Sequence, residues 1–269
     1  MNILKGKYKK INLTKIGGLN NSNYLFQINN KKYVLRVPSK DNKNNFINEG
    51  KILDLISQLN ISPLIKYHNT KGVLVSEFIP SSKITLEIYN SKAFIYNTLL
   101  SLKKLHTNRC DIFFNPFNEI YKNIDYLKDI NYNFHHDLNG ILNKLKYIEE
   151  IYRNNMDLGL CHNDLNTSNI LYTESDIFFV DFEFSGMGDI FFDLATLSWF
   201  LNDKLKMELL NSYFGYFNLS LKEKLENYIF VVKLWNATWS FIKSINSNSH
   251  YDYRLGGNMI LDDLINNYL

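Results

Sequence analysis

The pattern of hydrophobic and polar positions changes character once along the chain, near residue 80. Before it, "INLTKIGGLNNSNYLFQINNKKYVLRVP" runs in short β-branched and aromatic stretches broken at "GGLNNS" and "NNKK". This predicts an antiparallel meander with a tight turn at the second break. In "NNFINEGKILDLISQLN" the apolar residues Phe46, Ile47, Ile52, Leu53, Ile56 and Leu59 recur at helical spacing, and the stretch stops short of Pro63, so one helix is expected. "LIKYHNTKGVLVSEFI" adds two strands around a turn at "NTKG".

Beyond Pro80 the period is mainly helical, in "AFIYNTLLSLKKLH", "FNEIYKNIDYLKDI", "ILNKLKYIEEIYRNNM", "DLATLSWFL", "LKEKLENYIFVVKLWNATWSFIKSI" and "NMILDDLINNYL". Two short strands, "NILY" and "IFFVDFE", interrupt it. The expected fold is α+β and two-lobed: residues 1–80 form a small antiparallel-sheet lobe with one helix, residues 81–269 a larger, mainly helical lobe. No internal repeat is visible.

Composition narrows the function. A chain of 269 residues with 45% hydrophobic content can build one large domain or two lobes around a cleft. Thirty basic residues against 27 acidic ones give a net charge of +3, and the lysines are scattered among asparagines, so no nucleic-acid partner is expected. No run approaches the roughly 18 apolar residues of a membrane span, and the start, "MNILKGKYKKINL", lacks the apolar core of a signal peptide. Cys110 and Cys161 stand apart from any metal-binding spacing and read as free thiols in a reducing compartment, the cytoplasm.

The candidate chemistry lies in "LCHNDLNTSNILY" (160–172) and "IFFVDFEFSG" (177–186). Asp164 and Asn169 have the D-x-x-x-x-N spacing of a phosphotransferase catalytic loop, and a hydrophobic strand ends in Asp181 and Glu183. Phosphoryl transfer needs a carboxylate to take the attacking hydroxyl's proton, oxygen ligands for magnesium, a cation on the phosphates and a loop to cover them. Asp164 fits the first task. Asn169 and Asp181 fit the second, an amide oxygen and a carboxylate being hard donors, and Glu183, two residues on, is placed to assist the metal or to reach the substrate.

These blocks carry a resemblance. "GGLNNSNYLF", "YVLRVP", "EFIPSSKIT", "CHNDLNTSNIL", "VDFEFSGMGDIFFDLA" and "TWSFIKS" are similar to the choline/ethanolamine kinase family, within the aminoglycoside-phosphotransferase-like kinases, and they cover most of the chain. The resemblance implies a protein-kinase-like fold, ATP and Mg2+ as cofactors, and a small amino-alcohol, choline first, as acceptor. It puts Arg36 where such kinases hold the phosphates, with Glu49 as its partner; the alternatives are an edge-strand surface arginine and a solvated glutamate. Gly18, Asn20, Asn21 and Ser22 would belong to the phosphate-covering turn, the alternative being a plain hairpin. Glu77 and Phe78 would form the hinge against adenine. His162 and Asp193 would brace the catalytic loop, and His106 is a packed histidine.

Choline cannot donate a hydrogen bond from nitrogen, so its site would use aromatic faces. Trp235 and Trp239 share a helix face at i, i+4, Tyr251 and Tyr253 follow, and Phe184 stands where the family carries another aromatic residue. The alternative is that these rings fill the core. The rival substrates are ethanolamine, thiamine and aminoglycosides. A pseudokinase is the rival from another class, and the presence of Asp164, Asn169 and Asp181 together speaks against it. No oligomeric state is implied.

Overall fold

The computed structural model describes residues 11–17, 21–39, 45–174, 176–246 and 251–269. Among these, the strands β1 (Thr14–Gly17), β2 (Asn21–Ile28) and β3 (Lys31–Pro38) are followed by helix α1 (Phe46–Ile56) and strands β4 (Ile65–His68) and β5 (Leu74–Glu77). Then come α2 (Leu86–Tyr89), α3 (Lys92–His106), α4 (Pro116–Asp129), α5 (Asn139–Tyr152), β6 (Leu158–Cys161), β7 (Ile170–Tyr172), β8 (Ile177–Phe179) and β9 (Gly186–Asp189). Helices α6 (Phe191–Ser198), α7 (Asp203–Phe214), α8 (Leu219–Asn246) and α9 (Tyr253–Tyr268) complete the order. The class is α+β, as the hydrophobic pattern predicts.

Packing does not divide the chain where its texture changes. Met1–Ile112 and His162–Gly186 form one compact unit; Phe113–Cys161 and Met187–Leu269 form another.

In the first unit the five strands make an antiparallel sheet of order β1-β2-β3-β5-β4. The β2–β3 hairpin turns on Asn29 and Asn30, with φ of 48° and 63°. Two consecutive left-handed residues match the right-handed twist of the flanking strands, and asparagine tolerates that conformation. One face of the sheet buries Phe26, Ile28 and Val75 against Ile11, Tyr33, Leu35 and Tyr67. Helix α1 starts at Asn45, whose side chain accepts from Asn48 N, and it buries Phe46, Glu49, Ile52, Leu53 and Ile56. The β7–β8 hairpin belongs to this unit. Phe179 N donates to Ile61 O at 2.7 Å, Ser82 N to Tyr172 O at 2.8 Å, and Ser101 Oγ to Ile177 O at 3.2 Å. These bonds tie the hairpin to the segment after α1, to the segment after β5 and to α3.

The second unit is built around α8, whose residues from Leu225 to Trp235 are largely buried, as expected of a helix enclosed by others rather than lying on a surface. Helices α4, α6, α7 and α9 pack on it. Strands β6 and β9 and helix α7 were not foreseen. The four residues of β6, "LGLC", show no alternation to read, and β9, "GMGD", has two glycines of low strand propensity held in place by tertiary context.

Lys224 on α8 is the polar centre of this unit. Its Nζ lies 2.8 Å from Asp157 Oδ2, 2.8 Å from Asp189 Oδ2 and 3.0 Å from Asn155 O, and the ammonium stands over the rings of Tyr152, Phe191 and Tyr228. Asp189 Oδ1 accepts from Phe191 N, at the start of α6. Burial pushes the Asp189 carboxyl above its ordinary range, with Lys224 pulling the other way. Lys224→Met removes the cation and leaves Asp189 enclosed, so it should cost about 3 kcal/mol. Its carboxyl then rises further. A carboxyl that binds its proton more tightly when folded penalises the fold as pH rises from its unfolded value, near 4, through its folded one. The deficit of Lys224→Met in urea unfolding should therefore be larger at pH 7.5 than at pH 5. A pH-independent deficit would count against the Asp189 pairing.

Candidate active site

The centre of the site is an arginine. Register places Arg36 on β3 opposite Asn23 of β2 and Leu74 of β5, in the middle of the sheet, so it is not an edge residue. It is 6% exposed and Glu49 is 3% exposed. The guanidinium meets Glu49 bidentately, Nη1–Oε1 at 2.6 Å and Nη2–Oε2 at 2.5 Å, and Nη1 also reaches Asp181 Oδ1 at 3.0 Å. Nη2 donates to Gly72 O at 3.3 Å, and the Phe46 ring lies 5.8 Å from the guanidinium carbon. Gly72 has φ +78°, and a Cβ there would fall 2.6 Å from both Phe46 and Pro38, so only glycine fits the turn that delivers this carbonyl. Burial opposes the Arg36 charge, but the Glu49 hydrogen bonds and charge, with Asp181 and Glu183 behind them, outweigh it and raise its pKa.

The loop from His162 to Asn169 and the segment from Val180 to Gly186 lie side by side in the same unit. His162 accepts from Asp164 N at Nδ1 (3.3 Å), which leaves Nε2 to donate to Val180 O (3.0 Å). His162 thus braces the loop. Asp164 Oδ1 accepts from Asn166 Nδ2 at 3.0 Å and Oδ2 from Asn169 Nδ2 at 2.8 Å. Asn169 Nδ2 also donates to Asp164 O at 2.8 Å, so that amide is turned with its nitrogen toward Asp164 and its oxygen is the end left for another partner. Asp181 has φ +66°, a left-handed backbone that aspartate, like asparagine, adopts more readily than most side chains. Asn21, at the start of β2, brings Nδ2 to 3.5 Å from both Asp181 Oδ1 and Glu183 Oε2.

Four carboxylates and one guanidinium therefore share this corner. Burial, followed by the charges of Asp181 and Glu183, pushes Asp164 up to about 7, against the pull of the Asn166 and Asn169 amides. Burial and the Glu183 charge push Asp181 up as well, against Arg36. Such a corner suits a divalent cation by charge, and Asn169, Asp181 and Glu183 carry oxygens of the kind that could hold one.

The remaining expected residues divide. Gly18 and Asn20 lie outside the described residues. Asn21 is buried, faces the acids and, with Ser22, belongs to β2; Gly17 ahead of them has φ +124° beside a register shift between β1 and β2. The amides of Glu77 and Phe78 are spent on Leu64 O and Lys32 O, both at 3.0 Å, and the Glu77 carboxylate pairs with Lys66 at 2.8 Å. Phe184 contributes its carbonyl to the loop, accepting from Asn163 Nδ2 at 3.0 Å.

In the other unit, Trp235 is 6% exposed and packs edge to face on Phe114 and Phe192, a core setting. Trp239, Tyr253 and Tyr251 form a separate chain of edge-to-face rings at 5.7 and 4.9 Å. Asp193 is fully buried there on α6, and His106 is buried at the end of α3 in the first unit. Gly72, Asn163 and Asn166 escaped sequence reading. The signal available for Gly72 and Asn166 was only their place in a turn and beside Asp164.

The fold and this site define a phosphotransferase of kinase-like architecture. The chain belongs to the phosphotransferase enzyme family APH, whose sequence profile matches residues 13–226. Among curated proteins it is 29% identical over 202 residues to Protein LicA of Haemophilus influenzae, an alignment spanning 70% of this chain and 57% of that protein. It therefore covers little more than half the length of that relative. The choline kinase LicA of Streptococcus pneumoniae superposes with a TM-score of 0.79 at 20% identity, covering 95% of this chain and 94% of that one. An ethanolamine kinase of Plasmodium vivax gives 0.82 at 19% identity, covering 97% and 84%.

The Arg36–Glu49 pair yields a stability test. Glu49→Leu leaves a buried guanidinium short of its main partner and should cost about 3 kcal/mol. Replacing both, as Arg36→Met with Glu49→Leu, should cost much less than the two single changes together. Urea midpoints of the four proteins measure this. Additive losses would mean the two side chains do not act as a pair.

Proposed function

We propose that this chain transfers the γ-phosphate of ATP to the hydroxyl of choline. The observation that carries the reading is the convergence of Asp164, Asn169, Asp181, Glu183 and the Arg36–Glu49 pair within one compact unit, a full set of parts for phosphoryl transfer. Asp164 accepts the hydroxyl proton as the alcohol oxygen bonds to phosphorus and ADP leaves. Its carboxyl, pushed up to about 7, is near the value that suits a proton acceptor at neutral pH. The Asn166 and Asn169 amides fix the orientation of that carboxylate. Asn169, Asp181 and Glu183 hold magnesium, which when bound offsets the charge of the phosphates. Arg36, oriented by Glu49, serves the phosphates as well. Asn21 and Ser22, with Gly18 and Asn20, cover them. Glu77 and Phe78 border the adenine.

In this reading residues 1–80 serve the nucleotide and residues 81–269 the chemistry and the alcohol. Free thiols at Cys110 and Cys161 suit the cytoplasm. No described helix is long and apolar enough to cross a membrane.

Choline is supported by the pneumococcal neighbour, a choline kinase, and by the aromatic rings of Trp239, Tyr253 and Tyr251, with Trp235 and Phe184 as further candidates. One observation favours ethanolamine as a second reading. Lys243 Nζ lies 5.2 Å from the Trp239 ring centroid, so a cation already covers one face of that ring. A primary ammonium can hydrogen-bond and depends less on such a face than a quaternary one. Product formation from choline, ethanolamine, thiamine and an aminoglycoside with Mg-ATP tests the proposal: choline should show the highest kcat/KM, and no turnover of any of them would overturn it.

Asp164→Asn should lower kcat by about 10²–10⁴ while leaving nucleotide affinity nearly intact, the signature of a lost proton acceptor. Near-normal turnover would remove Asp164 from that role. Trp239→Leu keeps an apolar side chain but removes the π face. Choline affinity should fall about five- to thirtyfold, while the neutral isostere 3,3-dimethylbutanol loses less. Equal losses for both alcohols, with a lower melting temperature, would make Trp239 a core residue.

A further inference from the structure

Asn163 has no part in the chemistry just described, yet it is 1% exposed and holds φ +64° directly before Asp164. Its Nδ2 donates to Phe184 O at 3.0 Å and to Gly186 O at 3.4 Å. Its neighbour His162 donates from Nε2 to Val180 O at 3.0 Å. Val180 and Phe184 flank the stretch Asp181–Glu183. Two adjacent loop residues therefore grip that stretch at both ends, one before Asp181 and one after Glu183. Ser185 Oγ returns a bond to His162 O at 3.2 Å. Between the grips, Asp181 holds a left-handed backbone with φ +66°.

We infer that Asn163 is a positioning residue: its amide holds the Asp181 and Glu183 carboxylates at a fixed setting relative to Asp164, so that the metal meets a prearranged pair of acids. This rests on the phosphotransfer reading above. The competing explanation is local. Asparagine tolerates the left-handed region better than other side chains, and Asn163 would then be present for its backbone alone. The two accounts part at Asn163→Gly. Glycine takes φ +64° freely but has no amide to donate. Asn163→Asp keeps the shape and sets a carboxylate against two carbonyl oxygens.

The experiment is a titration of a fluorescent ATP analogue against each protein, in EDTA and across a range of Mg2+, with a melting curve for each. For Asn163→Gly the expected result is metal-free nucleotide affinity within about twofold of wild type, and a half-saturating Mg2+ concentration raised about ten- to hundredfold, the range seen when the partners that orient metal ligands are removed. Asn163→Asp should shift it at least as far. A glycine variant with wild-type Mg2+ dependence overturns the inference, as does an equal loss of nucleotide affinity with and without metal. If neither variant gives a cooperative melt, Asn163 is a residue of the fold and the inference is again overturned. A wild-type protein whose nucleotide affinity ignores Mg2+ is a different failure: it removes the phosphotransfer reading itself, and the positioning role with it.

Discussion

The buried bidentate pair of Arg36 and Glu49 is the constraint around which the first unit is arranged. A guanidinium 6% exposed carries a large desolvation cost, and only a well-aligned carboxylate with further acceptors offsets it. The sheet supplies Arg36 from its central strand. Helix α1 supplies Glu49 from its first turn, and the β4–β5 turn supplies the Gly72 carbonyl through a backbone only glycine accepts there. Three separate elements thus converge on one side chain. The helix must dock at the rotation that points Glu49 inward, and its apolar stripe of Phe46, Ile52, Leu53 and Ile56 gives that same rotation. The polar and apolar requirements of α1 agree, which is what makes a buried charge tolerable.

Much of this was readable from residue order. The strand and helix runs of the first 80 residues have clean periods, and the turn at "NNKK" has the residues that a two-residue hairpin demands. Asp164, Asn169 and Asp181 stand out in the sequence by their spacing, and the structure brings them into one compact unit. What sequence hid depends on three-dimensional partners. The Lys224 cluster joins residues 67 and 35 positions apart, and no local pattern announces it. The compact units cross the chain rather than following it, because the 162–186 stretch packs with the sheet unit although helices surround it in sequence. Trp235 and Trp239 share a helix face by spacing, yet they enter different aromatic clusters, since ring contacts depend on which neighbours arrive from other helices.

The stitching between the catalytic loop and the Val180–Gly186 segment uses asparagine where a purely apolar design has no equivalent. Asn166 and Asn169 each give one donor to one oxygen of Asp164, so the carboxylate is held without a positive charge beside it. A lysine or arginine there would draw its pKa down instead. Neutral amides orient the group and pull its proton affinity down, but burial and the neighbouring acids outweigh them and push it up to about 7.

The same logic bears on the acids of this corner. Glu49 spends both oxygens on Arg36, so one guanidinium is largely neutralised by one carboxylate, while Arg36 Nη1 also reaches Asp181 and the Asn21 amide approaches Asp181 and Glu183. Asp181 and Asp164 respond by holding their protons more tightly than free carboxyls do. A divalent ion bound beside these carboxylates would reverse that response, lowering the proton affinity of Asp164 and Asp181 alike. Cation binding and the protonation of Asp164 would then be linked through charge. The prearranged spacing of the acids decides how strongly the two are coupled, because the interaction between charges in a partly buried corner falls with distance and rises with the exclusion of water.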